Sequence, residues 1–140
     1  MARRNERGFT LIELMVVITI LGLLASITSV GVMRYLATAR IQTAKSQILS
    51  IDEAIMHYRR EKSRIPANLS ELCGTDSDDR YFDATEIPKD PWNNDYQYNP
   101  KDKRNYDLFS FGADGVEGGE KEDADITRDD VRKTTANDRK

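Results

Sequence analysis

A chain of 140 residues has room for one small domain, and 32% charged against 39% hydrophobic residues describe, on average, a soluble globule. The net charge of -3 and a pI near 5.2 exclude a general nucleic-acid binder, because phosphate contacts need a basic surface and no clustered basic stripe runs through the body. The single cysteine, Cys73, cannot close an internal disulfide, and the single histidine, His57, lies in a helical pattern with no partner motif. Cys73 therefore reads as a buried small hydrophobe ahead of a nucleophile, which disfavours thiol or Ser-His-Asp chemistry.

The mean hydropathy of -0.64 averages two unlike regions. Residues 1–8 form a basic leader, with Arg3, Arg4 and Arg7 against Glu6. Residues 9–33 then form an apolar run of about 25 residues, long enough as a helix to cross a roughly 30 Å hydrocarbon core, and the flanking arginines predict that the amino terminus stays in the cytoplasm. An ordinary signal anchor explains the hydropathy. It does not explain Glu13, the one ionisable residue of the run, since a lone carboxylate in hydrocarbon costs several kcal/mol without a partner. No basic residue of the run is close enough, so the partner comes from another copy, or the group sits at the interface or is protonated. An amine freed by cleavage between Gly8 and Phe9 has the right sign.

The segment Gly8-Phe9-Thr10-Leu11-Ile12-Glu13-Leu14-Met15-Val16-Val17-Ile18 resembles the class III signal of type IV pilins and type II secretion pseudopilins. The resemblance implies that a prepilin peptidase cuts between Gly8 and Phe9, that the new amino-terminal Phe9 is N-methylated, and that Glu13 pairs with a neighbouring subunit's amino terminus during assembly.

Residues 34–65 continue the helix as an amphipathic element. Ala37, Ile41, Ala44, Ile48, Ile51, Ile55 and Tyr58 recur at steps of four and three, with Gln42, Lys45, Gln47, Asp52, Glu53 and Arg59 mostly between them. Helix from about Phe9 to Ser63 is expected, ended by Pro66. The isoleucine stripe can be a coiled-coil seam or the face that packs on the chain's own small domain, and its short span favours the second. Asn68 to Glu71 reads as a capped turn, and Asp76, Asp78 and Asp79 as a solvated loop.

Residues 66–126 are expected to form a small β domain. Asp90-Pro91-Trp92-Asn93-Asn94-Asp95 reads as turns around a buried tryptophan, and Tyr96–Tyr98 with Tyr106–Phe111 as a hairpin whose aromatic side chains cover the helical stripe; an aromatic sugar platform is the weaker alternative. Between Phe111 and Asp125, six carboxylates (Asp114, Glu117, Glu120, Glu122, Asp123, Asp125) share the segment with Lys121 alone, among glycines 112, 115, 118 and 119. A hard divalent cation relieves such repulsion, and calcium suits an oxygen shell from carboxylates and carbonyls; a disordered acidic loop is the competing reading. Residues 127–140 show no apolar periodicity and are expected to be a disordered tail.

Asp90-Pro91-Trp92-Asn93-Asn94-Asp95-Tyr96-Gln97-Tyr98, with Tyr106-Asp107-Leu108-Phe109-Ser110-Phe111-Gly112-Ala113-Asp114-Gly115 and Glu117-Gly118-Gly119-Glu120, resembles the major pseudopilins of type II secretion systems. That resemblance implies an α+β, pilin-like fold: a long N-terminal helix packed on a small antiparallel sheet. It also implies a calcium-binding loop, with side-chain ligands from Asp114, Asp123 and Asp125 and carbonyls from Phe111 and Val116. The expected role is a non-enzymatic subunit of a periplasmic pseudopilus, anchored by one pass in the bacterial inner membrane before assembly. Its expected partners are copies of itself, the prepilin peptidase, minor pseudopilins and inner-membrane secretion components, without nucleic acid. A type IV pilin of a surface fibre is the alternative within the superfamily, although those usually carry a disulfide that Cys73 alone cannot make; a signal-anchored periplasmic enzyme is the alternative outside it.

Overall fold

A computed structural model describes residues 8–74 and 80–137, with the side chains of 27–31 and 137 outside the description. The basic leader up to Arg7 and the loop aspartates 76, 78 and 79 therefore lie beyond the described residues. The order of elements is helix α1 (Leu11–Lys62), a 3₁₀ turn (Leu69–Leu72), strands β1 (Gln97–Pro100), β2 (Tyr106–Ser110) and β3 (Ile126–Thr127), and helix α2 (Arg128–Asn137). The chain divides into two compact units, Met1–Leu36 and Ala37–Lys140.

In the first unit, α1 runs through the apolar segment with no proline to break it, although β-branched residues and Gly22 give it only modest helix propensity. Its large side chains stand exposed in every direction round the axis: Leu11 is 78% exposed and Leu23 65%, and even Val17 is 47% exposed. The hydroxyls are satisfied within the helix, Thr19 donating to the Met15 carbonyl and Ser26 to that of Leu23, both at 2.7 Å. Among the described residues no helix is long and apolar enough to cross a membrane. The expected span over 9–33 includes residues 27–31, whose side chains lie outside the description.

In the second unit the amphipathic stripe is buried. Ala44, Ile48, Ile51, Ala54, Ile55 and Tyr58 pack with Ile65, Leu72, Tyr96, Tyr106, Leu108, Ile126 and Val131 into one core. The coiled-coil reading of the stripe is displaced, because the chain's own strands and turns occupy it. Helix α1 ends where Ser63 turns left-handed (φ 59°) and its N–H returns to the Arg59 carbonyl, three residues before Pro66. Asn68 then caps the 3₁₀ turn, accepting the Glu71 N–H.

The three strands form an antiparallel sheet in the order β1-β2-β3, with Tyr98 opposite Leu108 and Ser110 opposite Ile126. Pro100 is tolerated because β1 is an edge strand. Along β2 the residues alternate: Tyr106, Leu108 and Ser110 face the core, while Asp107 and Phe109 lie half-buried on the other side. The expectation that the whole aromatic run covers the helical stripe therefore holds for Tyr106 but not for Phe109 and Phe111, which meet edge to face at 5.0 Å instead. Trp92 is half-buried, with its indole N–H buried and lacking a hydrogen-bond partner.

Two assignments are corrected. The segment expected to be a disordered tail contributes Thr127 to β3 and forms α2 over Arg128–Asn137. Thr127 caps that helix reciprocally with Asp130: the Asp130 N–H donates to Thr127 Oγ1, and the threonine hydroxyl donates to Asp130 Oδ2 at 2.7 Å. Val131 anchors α2 in the core. Asp52, expected among the polar residues of α1, is 3% exposed. It accepts the Tyr106 hydroxyl at 2.5 Å and the Arg132 Nε at 2.9 Å, so a carboxylate that looks surface-bound in sequence ties α1, β2 and α2 together. Burial, and then this hydrogen bond, push the Tyr106 hydroxyl well above its ordinary pKa.

Candidate functional site

At the amino end of α1, Gly8 and Phe9 are exposed, Phe9 at 87%, so the bond between them is open to approach. Thr10 and Glu13 form a capping box: the Glu13 N–H donates to Thr10 Oγ1 at 3.3 Å, and the Thr10 N–H and hydroxyl lie 3.4 Å from Glu13 Oε2. Glu13 thus has a partner within its own first turn, which the hydropathy argument overlooked. The signal was legible as Thr-x-x-Glu at the head of an apolar run. The box satisfies two orphan donors of the helix start and places a negative side chain against the positive end of the helix dipole. It keeps the Glu13 carboxylate within a turn of Phe9.

The acidic loop begins at the end of β2. Gly112 (φ +75°) carries the chain over the returning part of the loop so closely that a Cβ would stand 2.5 Å from the Glu122 carbonyl oxygen, and Ala113 N–H donates to that same oxygen at 2.8 Å. Of the expected ligands, Asp114 is exposed and accepts the Val116 N–H at 3.1 Å; Val116 is exposed; Phe111 is half-buried at the strand end; and Asp123 is exposed. Asp125 is half-buried, and its Oδ2 accepts the Gly118 N–H at 3.0 Å across the loop. Among the described residues no group of three or more acidic, histidine or cysteine side chains is gathered as a metal cluster. The expected carboxylates are spread along the loop because at least two of them are turned onto backbone N–H groups.

The donor chemistry nevertheless suits a hard cation. Asp125 Oδ1 is buried without a hydrogen-bond partner, and so is Glu122 Oε1, whose nearest cation, Arg40, stands at 3.8 Å. A buried carboxylate oxygen left unpaired is costly, and apart from Lys121 the other ionisable side chains of the loop, Asp114, Glu117, Glu120 and Asp123, offer oxygen. The residues present therefore fit calcium, with Asp125 the best supported of them.

Cys73 is half-buried, and burial raises its thiol pKa, the opposite of what a nucleophile needs. His57 is exposed on α1.

Comparison with known proteins gives two family matches. Residues 31–129 match the family described as type II secretion system, protein G, and residues 3–29 match the prokaryotic N-terminal methylation motif. The chain is similar to the type II secretion system core protein G of Vibrio cholerae (39% identical, covering 88% of this chain and 91% of the relative) and to that of Pseudomonas aeruginosa (40% identical, covering 90% and 96%). The core protein G of Escherichia coli is 35% identical over 85% of this chain and 90% of its own.

Proposed function

Because the chain belongs to the type II secretion system protein G family, the major pseudopilins, we propose that it is built into the pseudopilus through the processed amino end of α1 and that calcium stiffens its folded body. As a pseudopilin it is a structural component of the periplasmic pseudopilus and not an enzyme. The methylation motif over residues 3–29 brackets Gly8 and Phe9, and supports cleavage between them by a prepilin peptidase with methylation of the Phe9 amine.

The observation that carries the reading is the exposed apolar half of α1. Leu11, Ile12, Leu14, Leu21 and Leu23 are all more than half exposed, and water does not tolerate such a surface. Before assembly the inner membrane is the solvent that suits residues 9–33, with the basic leader on the cytoplasmic side. In the fibre, packed helices of other copies replace lipid. Glu13, held by Thr10 in the single subunit, then exchanges the neutral donors of Thr10 for the charged Phe9 amine of a neighbour, which is the stronger partner in a medium of low dielectric. Minor pseudopilins and inner-membrane secretion components are the further partners that this role requires.

For the body, calcium would be held by Asp125 with Asp114, Asp123 and the carbonyls of Phe111 and Val116. Its chemistry there is structural: it neutralises the carboxylates that crowd the loop. The support is the buried, unpartnered oxygen of Asp125.

Intact-mass analysis of the chain isolated from cell membranes tests the processing step. A chain beginning at methylated Phe9 is the expected result, and one that retains residues 1–8 overturns it.

A further inference from the structure

A set of buried polar atoms that the assembly role leaves unused surrounds Asp90. This residue is 4% exposed, and both of its carboxylate oxygens are engaged: Oδ1 accepts the Trp92 and Asn94 N–H groups at 3.1 and 2.8 Å, and Oδ2 accepts the Ser110 hydroxyl at 2.6 Å. Ser110, fully buried, in turn accepts the Gly112 N–H on its Oγ at 3.1 Å. The Gly112 N–H and the Phe111 carbonyl belong to one planar trans peptide, so holding the first fixes the direction of the second. On the other side of Gly112, the Asn94 side-chain amide donates to the Gly112 carbonyl at 2.8 Å, and the N–H of that same peptide, on Ala113, donates to the Glu122 carbonyl. Both peptides that flank Gly112 are thereby locked. The Asn94 side chain also stands against Gly115, where a Cβ would meet Asn94 Oδ1 at 3.4 Å.

We infer that Asp90, Ser110 and Asn94 are positioning residues of the cation loop: Asp90 through Ser110 aims the Phe111 carbonyl, and Asn94 closes the base of the loop onto the turn that follows Pro91. The inference rests on the calcium reading above and names which residues outside the ligand set make the loop a preformed site. A purely structural turn needs no such chain of bonds, since an apolar residue in place of a buried carboxyl group fills a core at lower desolvation cost. Each bond of the Asp90 network ends on the peptide that opens the acidic loop or on the turn that supports it. Partners one step removed from a metal commonly alter affinity by about 10- to 100-fold when they are lost.

The test uses the full-length chain in detergent micelles, with calcium chloride as the probe. Calcium affinity is read by titration calorimetry, and melting temperature is read separately in excess EDTA. Asn94→Ala is expected to weaken calcium binding by about tenfold while the EDTA melting temperature stays within about 3 °C of the parent. Ser110→Ala is expected to weaken binding at least as much, with some loss of stability because Asp90 loses a donor. Parent-like affinity in Asn94→Ala overturns the inference, and so does an affinity loss in both variants that merely tracks the fall of the EDTA melting temperature. If the parent chain itself takes up no calcium, the calcium reading fails, and the positioning role fails with it.

Discussion

Helix α1 carries two solutions to one problem. From Ala44 to Tyr58 its apolar side chains fall on one stripe and are almost wholly buried by strands and turns of the same chain; from Leu11 to Leu24 they cover the whole circumference and stand largely exposed. The sequence difference is one of periodicity, 3.6-residue spacing against an unbroken run, and its consequence is where the free energy of burial is realised. The C-terminal half gains it during folding. The N-terminal half stands exposed, and under the proposed function it gains burial from lipid and then from other copies of the chain.

Substituting equivalent side chains in the two halves separates folding from assembly. Ile51→Ala should cost about 2–5 kcal/mol of stability, because a fully buried branched side chain leaves a cavity, whereas Leu21→Ala should leave the melting temperature of the body unchanged and reduce fibre yield. Differential scanning calorimetry beside fibre counts by electron microscopy reads both. Equal melting losses in the two variants would erase the contrast. Next in size is cation removal. With free calcium at a hundred times its dissociation constant, chelation by EDTA should remove about 2.7 kcal/mol of stability by mass action, visible as a lower melting temperature that calcium restores and magnesium does not. No shift on chelation would take calcium out of the account.

A smaller loss is expected at the C-terminal helix. Arg132→Ala leaves Asp52 buried with the Tyr106 hydroxyl and with Arg128 only at 3.9 Å, and should cost about 2 kcal/mol, less than a fully buried pair because Arg132 is itself half exposed. Amide exchange should then report faster opening over Arg128–Asn137 than in α1. The smallest effect concerns Glu71. The Tyr58 hydroxyl, with the Ala67 N–H and Arg64, holds its carboxyl below the ordinary value of 4.5 against an opposing effect of burial. A carboxyl depressed in the folded state stabilises above the unfolded value, and that contribution disappears as pH falls through the folded one. Glu71→Gln should therefore flatten the stability profile below pH 4.5 and cost about 1 kcal/mol at neutral pH, measured by urea melts across the acid range.

Most of this architecture was legible in the residues. The stripe of Ile48, Ile51 and Ile55, the stop before Pro66, the Asn68 cap and the hairpin of β1 and β2 all follow from local rules of spacing and turn chemistry. What escaped depends on contacts far apart in sequence. Helix α2 has Val131 as its one deeply buried apolar side chain, and it is docked by an Asp52–Arg132 pair that no window of ten residues contains. Strand β3 is two residues long and carries no periodicity. The two capping boxes, Thr10 with Glu13 and Thr127 with Asp130, were written in the sequence in the ordinary way; hydropathy drew attention to Glu13 as a costly charge and hid its role as a helix start. The acidic loop was legible in composition, while the arrangement of its carboxylates depends on backbone N–H groups that composition does not reveal.

The claim on which the contrast rests is that Glu13 serves assembly and not the fold of the body. The direct measurement is the fibre yield of Glu13→Ala, expressed in cells and counted by electron microscopy, beside its melting temperature. The account predicts a correctly melting subunit that forms few or no fibres; a Glu13→Ala chain that assembles at the parent level would contradict it.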